Sequence, residues 1–170
     1  KEQVIIYMPM TKDMAAMDKA HREGADAIEK LLDEGKNVVF ITLGCPTVYP
    51  EQFGMTEYYA KEYLEKQGYT GASGWGFHND VMYEETLRML ERGKKDKMLL
   101  VTKTLDMHQP YPYTGFSWNE MPDKVRSNKI VTVRGVYWVD RQLQKFFAEA
   151  EKRGLMDDRT LFIITSDHNP

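Results

Sequence analysis

The chain has one cysteine, Cys45, in 170 residues. That excludes an internal disulfide and leaves the redox compartment open. It has no excess of either charge: 23 basic residues against 26 acidic ones leave a net charge of -3. A balance of that kind gives no global attraction to nucleic acid or to an anionic membrane, and the basic residues are scattered rather than clustered. No apolar run approaches the length that spans a bilayer. The first ten residues, KEQVIIYMPM, have neither the basic start nor the apolar centre of a signal peptide. A phosphate-binding P-loop, a zinc-finger spacing and a dinucleotide fingerprint are all missing. So are an internal repeat, a low-complexity tract and a flexible linker. What remains, 42% hydrophobic and 29% charged, is the composition of one ordinary globular domain over residues 1 to 170. The chain opens on Lys1 and stops soon after an apolar run, which reads as a fragment or a recombinant piece.

Strand and helix signals alternate along the chain. Val4 to Tyr7 is a short strand signal, and Met14, Met17, His21, Gly24, Ile28 and Leu31 then recur at helical spacing, with Gly35 where a left-handed cap belongs. NVVFITL, Asn37 to Leu43, is apolar throughout, as a strand covered on both faces must be. Helices are expected over Thr56 to Lys66 and from Asn79 or Asp80 to Arg92, closed by Gly68 and Gly93. KMLLVTKTL is a second buried strand. A loop rich in Pro, Tyr and Trp follows over residues 106 to 128, long enough to suspect function. Ile130 to Val133 is either a short strand or a lead into the next helix. That helix is expected over Val139 to Arg153, with Leu143, Phe146, Phe147 and Ala150 inward and Gly154 as its stop. TLFIITS is the last strand. The alternation predicts an α/β fold, a three-layer sandwich with a mainly parallel sheet and helices on both faces.

In open parallel sheets ligands gather beyond the carboxyl ends of the strands. Three groups stand at such ends: Gly44 and Cys45 after the first apolar run, Asp106 and His108 after the second, Asp167 and His168 after the last. A carboxylate with an imidazole can bind a divalent metal, and a further histidine can hold an anionic ester oxygen. An Asp at a strand end is also a routine turn or cap residue. Trp75, Phe77, Tyr111, Tyr113, Phe116 and Trp118 flank the same edge; they either wall a pocket for a sugar or glycerol headgroup or pack the long loop down. His78 reads as a helix-start residue, and Glu57, Glu84 and Glu85 as solvated helix charges.

Two resemblances go further than the pattern. From about residue 53 to Pro170 the chain resembles the sulfatase and phosphoglycerol-transferase family of the alkaline-phosphatase-like superfamily, which includes lipoteichoic-acid-synthase-like enzymes. The residues that carry it are GWGFHNDVMYEETLRML, TKTLDMHQPY and VYWVDRQLQKFFAEAEKRGLMDDRTLFIITSDHNP. The resemblance implies that Asp167 and His168 are ligands of a divalent metal (Mn, Mg, Ca or Zn), that His108 contacts the oxygens of a small sulfate or phosphate ester, and that Asp140 starts a helix. It implies metal-dependent hydrolysis or transfer of such esters. The family's first acidic ligand and its Thr, Ser or modified Cys nucleophile have no recognisable counterpart here. Over about residues 4 to 50 the chain is instead similar to S-adenosylmethionine-dependent tetrapyrrole methyltransferases of the precorrin-2 C20 type. On that alternative reading Gly44, Cys45, Pro46, Thr47 and Tyr49 form the cofactor loop, with Cys45 in place of the family's Asp. Together the two likenesses suggest a joined chain, a methyltransferase-like βαβ unit over 1–50 completing a sulfatase-like sheet over 51–170. A catalytically silent recombinant domain is the third reading.

Overall fold

A computed structural model describes residues 23, 26–43, 59–72, 76–93, 98–108 and 120–166. Residues 26 to 33 are helical (α1) and turn through Gly35, whose φ of 77° is the left-handed conformation that glycine adopts without a steric penalty. Strand β1, Asn37–Leu43, follows at once. Then come α2 (Lys61–Lys66), α3 (Asn79–Arg92), β2 (Leu99–Thr104), α4 (Asp123–Arg126), α5 (Val131–Lys152) and β3 (Thr160–Ser166).

The three described strands form one parallel sheet in the order β2-β1-β3. The central strand is the one with the most continuous apolar run. Its neighbours Val38 and Val39 point to opposite faces, as successive strand residues do, and both are 0% exposed. Both faces of β1 are therefore covered at Val38 and Val39, which fits the unbroken apolar run VVFI at its centre. On one face Val39, Leu100 and Phe162 stand side by side in register and meet Tyr83, Leu87 and Leu90 of α3 and Phe146 and Ala150 of α5. Phe146 lies at the centre of this cluster, with ring centroids 5.1 Å from Tyr83, 5.2 Å from Phe147 and 5.9 Å from Phe162. Each such side chain, fully buried, contributes about 1.5–3 kcal/mol. A buried hydroxyl pair, Thr86 to Thr102 at 2.6 Å, fixes α3 on β2 within this apolar contact.

Helix α5 begins eight residues earlier than its apolar spacing indicates. Its buried side is Gly135, Val139, Gln142, Phe146 and Ala150, a 4-3-4-4 stripe whose first half contains a glycine and a glutamine. Counting apolar residues alone misses that half. Ile130 precedes the helix, and Val131 to Val133 form its first turn rather than a strand. Asp140, expected at a helix start, is an exposed residue within the helix. At the far end Gly154, φ 64°, stops the helix, with the Leu155 amide donating to the Ala150 carbonyl at 2.9 Å. Helix α2 begins at Lys61 rather than near Thr56, Tyr59 and Ala60 being irregular.

Glu85 is another departure. Expected among solvated charges, it is 3% exposed, and it accepts from the hydroxyls of Tyr63 at 3.3 Å and Tyr69 at 3.4 Å. A carboxylate can be buried on those terms because each oxygen has a donor. Glu84 instead receives Arg153 at 2.8 Å, which ties the end of α5 to α3. Among the described residues no helix is long and apolar enough to cross a membrane.

Candidate functional site at the carboxyl edge of the sheet

The register levels the carboxyl ends of the strands. Leu43 pairs with Thr104 on one side and with Ser166 on the other, so all three described strands stop at one edge. With neighbouring strands about 4.8 Å apart, the ends of β2 and β3 stand roughly 10 Å from each other across β1. Side chains from the two flanking ends can reach toward one ligand over the central strand. Asp167 and His168, which follow Ser166 in sequence, lie outside the described residues, as do Gly44, Cys45, Pro46, Thr47, Tyr49 and Trp75. His108 is described, half-buried on the turn that leaves β2.

That turn is held from outside. The first residue of α3, Asn79, is fully buried, and its side-chain oxygen accepts from the Leu105 amide at 2.8 Å and the Asp106 amide at 3.0 Å. The His108 amide then donates to the Leu105 carbonyl at 2.8 Å, closing the turn. Asn79 thus turns its side-chain oxygen to the turn that follows β2. The residue at the N-cap is His78, with no side-chain cap bond.

Asp106 is the centre of the arrangement. It is 1% exposed, and both carboxyl oxygens are engaged. Oδ1 lies 2.8 Å from His78 Nδ1; Oδ2 accepts from the Trp138 indole N–H at 3.2 Å and from the Asn79 amide at 3.4 Å. Because a carboxylate only accepts, the ring hydrogen of His78 sits on Nδ1. The negative charge is felt nearby. Burial, with the charge of Asp106 adding to it, pushes the Tyr83 hydroxyl well above its ordinary value, so Tyr83 stays neutral.

The sequence places Asp106 and His108 together at the strand end, as observed, and the structure gives them different surroundings. Asp106 is saturated and buried; it suits the orientation of an imidazole better than direct ligation. Among the described residues no group of three or more His, Cys, Asp or Glu gathers to hold a metal. His78, Asn79 and Trp138 were not singled out as site residues. Their contacts with Asp106 span 27 to 32 positions and leave no periodic trace. The available signal was a His-Asn pair opening a helix whose buried side left those polar groups in need of partners.

A parallel α/β sheet with functional groups at its carboxyl edge is the architecture of many hydrolases and transferases. The sulfatase family model matches residues 36–170, most of the chain, and the chain belongs to that family. Its structure is similar to that of the lipoteichoic acid synthase LtaP from Listeria monocytogenes, with a TM-score of 0.55 and 14% identity over 84% of this chain and 36% of that one. It is also similar to a protein in the alkaline phosphatase superfamily from Vibrio parahaemolyticus, with a TM-score of 0.53 and 23% identity over 84% of this chain and 35% of that one. At these identities the likeness establishes the α/β fold alone, and the chain spans about a third of the length of either structure. No curated protein matches the chain. The family match takes in β1 and residues 44 to 49, the strand and loop at the end of the methyltransferase likeness read over about residues 4 to 50, and nothing supports that likeness or its S-adenosylmethionine loop.

Proposed function

We propose that this chain carries the substrate-and-metal edge of an enzyme that hydrolyses or transfers sulfate or phosphate esters. The observation that carries the reading is the shared edge: β2 ends in the turn bearing His108, and β3, level with it across β1, ends at Ser166, directly before Asp167 and His168. On this reading Asp167 and His168 hold a divalent cation. One carboxylate and one imidazole suit a first-row ion or Mg²⁺. When bound, the cation would polarise the ester oxygen. Two donors make an open shell, and further ligands would come from elsewhere in the enzyme. His108 binds the ester's anionic oxygens from the β2 side. Trp75 belongs to the wall around the leaving group.

The fit of the described residues to this scheme is specific at one point. The turn over residues 105 to 108 is fixed by Asn79, so His108 is presented by a rigid support, and orientation of that kind is what a substrate-binding imidazole requires. The test is calorimetric. Mn²⁺ titrated into the chain should release or absorb heat at one site, and Asp167→Ala and His168→Ala should each abolish it. Affinity unchanged in both variants would defeat the metal assignment.

A further inference from the structure

We propose that the cleft between α3 and α5 is a binding site for a small neutral molecule made of one flat apolar ring and an amide group, with Gln142 as the residue that recognises the amide. The inference stands apart from the ester reading and uses none of its residues. Three observations carry it. The cleft has a volume of about 170 Å³ and is walled by Tyr83 and Leu87 of α3 and by Phe146 of α5. Gln142 of α5 lines it too and is 4% exposed, and among the described residues neither Oε1 nor Nε2 of its side chain has a hydrogen-bond partner. And the charged groups around the opening cancel. Glu84 and Glu149 both accept from Arg153, at 2.8 and 2.9 Å, while Asp80 and Lys145 are exposed and opposite in sign. Tyr83 stands one helical turn after Asn79 and Gln142 one turn after Trp138, so the cleft begins next to the Asp106 cluster on both helices.

The ligand class follows from these three. A buried amide with both ends unpaired bears the cost of leaving water before anything binds, and an occupant that supplies an acceptor and a donor recovers it. No hydrogen bond opposes the turn of the Gln142 side chain toward such an occupant. A carboxamide or lactam offers the acceptor and the donor side by side. A carboxylate, which only accepts, would leave Oε1 unpaired; an ammonium group, which only donates, would leave Nε2 unpaired. The walls set the rest. A cavity of roughly 150 Å³ lined by Leu, Ile and Phe holds benzene, so this cleft has room for a single six-membered ring, with Tyr83 and Phe146 as aromatic contacts.

Benzamide is the probe. Titrated into the full isotope-labelled chain, it should shift the side-chain amide signals of Gln142 and the methyl signals of Leu87. Benzoate and benzylamine, which carry the same ring, should each bind about tenfold more weakly, the factor for one hydrogen bond left unmade. Gln142→Met, nearly equal in volume, should weaken benzamide by a similar factor. Its urea midpoint should equal or exceed that of the parent, because two unpaired buried atoms are removed. If millimolar benzamide moves neither Gln142 nor Leu87, the inference is overturned. It is overturned equally if Gln142→Met or the benzoate comparison leaves the affinity unchanged. A fall in the midpoint of Gln142→Met would show the amide already satisfied by water, with the same consequence. The Mn²⁺ titration at the sheet edge reads a different site, so either experiment can fail without the other.

Discussion

Truncation of Asp106 to alanine should cost a large part of the stability of the chain. The carboxyl group takes three donors: the His78 ring, the Trp138 indole and the Asn79 amide. A buried donor left without a partner costs about 1–3 kcal/mol. The three are not equal. The Asn79 amide is fully buried and has nowhere else to go, though its bond is the longest at 3.4 Å. The His78 and Trp138 side chains are only part-buried and would recover something from water. Discounting those two leaves about 3–5 kcal/mol, against a total of about 5–15 kcal/mol for a domain of ordinary stability. Urea unfolding followed by far-ultraviolet circular dichroism measures it. With a slope of about 2 kcal/mol per molar, the midpoint should fall by roughly 2 M. Asp106→Asn separates charge from shape. The amide oxygen can keep Trp138 and the Asn79 amide, while the amide nitrogen forces His78 to accept at Nδ1. That variant should lose only about 1 kcal/mol while its histidine tautomer inverts. A midpoint shift below about 0.5 M in the alanine variant would mean that the carboxyl group is not the hub described here.

The remaining expectations concern the core and the helix ends. Phe146 is 3% exposed and touches Tyr83, Phe147 and Phe162, so Phe146→Ala should lower the unfolding free energy by about 3–5 kcal/mol in the same urea experiment. Hydrogen bonds from Arg153, then from Lys152, hold the Glu149 carboxyl below its ordinary range. A depressed folded pKa means that the contribution is complete above the unfolded value near 4.3 and is lost as pH falls through the folded one. The melting temperature should therefore drop on acidification from about pH 5 to pH 3, and Arg153→Met should make that drop shallower. An unchanged slope in the variant would remove Glu149 from the account.

Where the sequence was informative, the reason is local. β1 and β3 occupy the residues read as strands from their four-residue apolar runs, VVFI and LFII, and in β1 the run follows from burial on both faces, Val38 and Val39 both being 0% exposed. Helix α3 ends before Gly93 as read, and Leu87 and Leu90 face inward. The gathering of groups at one edge was also legible, since parallel strands of equal register must end together. What stayed hidden is non-local. Glu85 is buried because Tyr63 and Tyr69, on or just beyond a preceding helical turn, arrive over it. Nothing in the spacing of α3 marks it off from its exposed neighbour Arg88. The early start of α5 is hidden for a related reason. Gly135 and Gln142 lie on its buried side, and a glycine and a glutamine carry no hydrophobic signal.

The Asp106 cluster connects the stability of the sheet edge to its chemistry. Asn79 holds the backbone of the turn, Asp106 holds Asn79's amide and the two rings, and Trp138 brings α5 to the same carboxylate. β2, α3 and α5 are thus joined at a single buried charge, two residues from His108. A charge buried so deeply is tolerated when every acceptor site is filled. It follows that the turn over residues 105 to 108 and the packing of α5 cannot vary independently. On the proposed reading, a ligand that shifts this turn acts on Asp106, and through it on Trp138 in α5. Binding of phosphate should therefore alter Trp138 fluorescence even though no ligand atom reaches the indole. The coupling should vanish in Asp106→Ala while Trp138 itself remains.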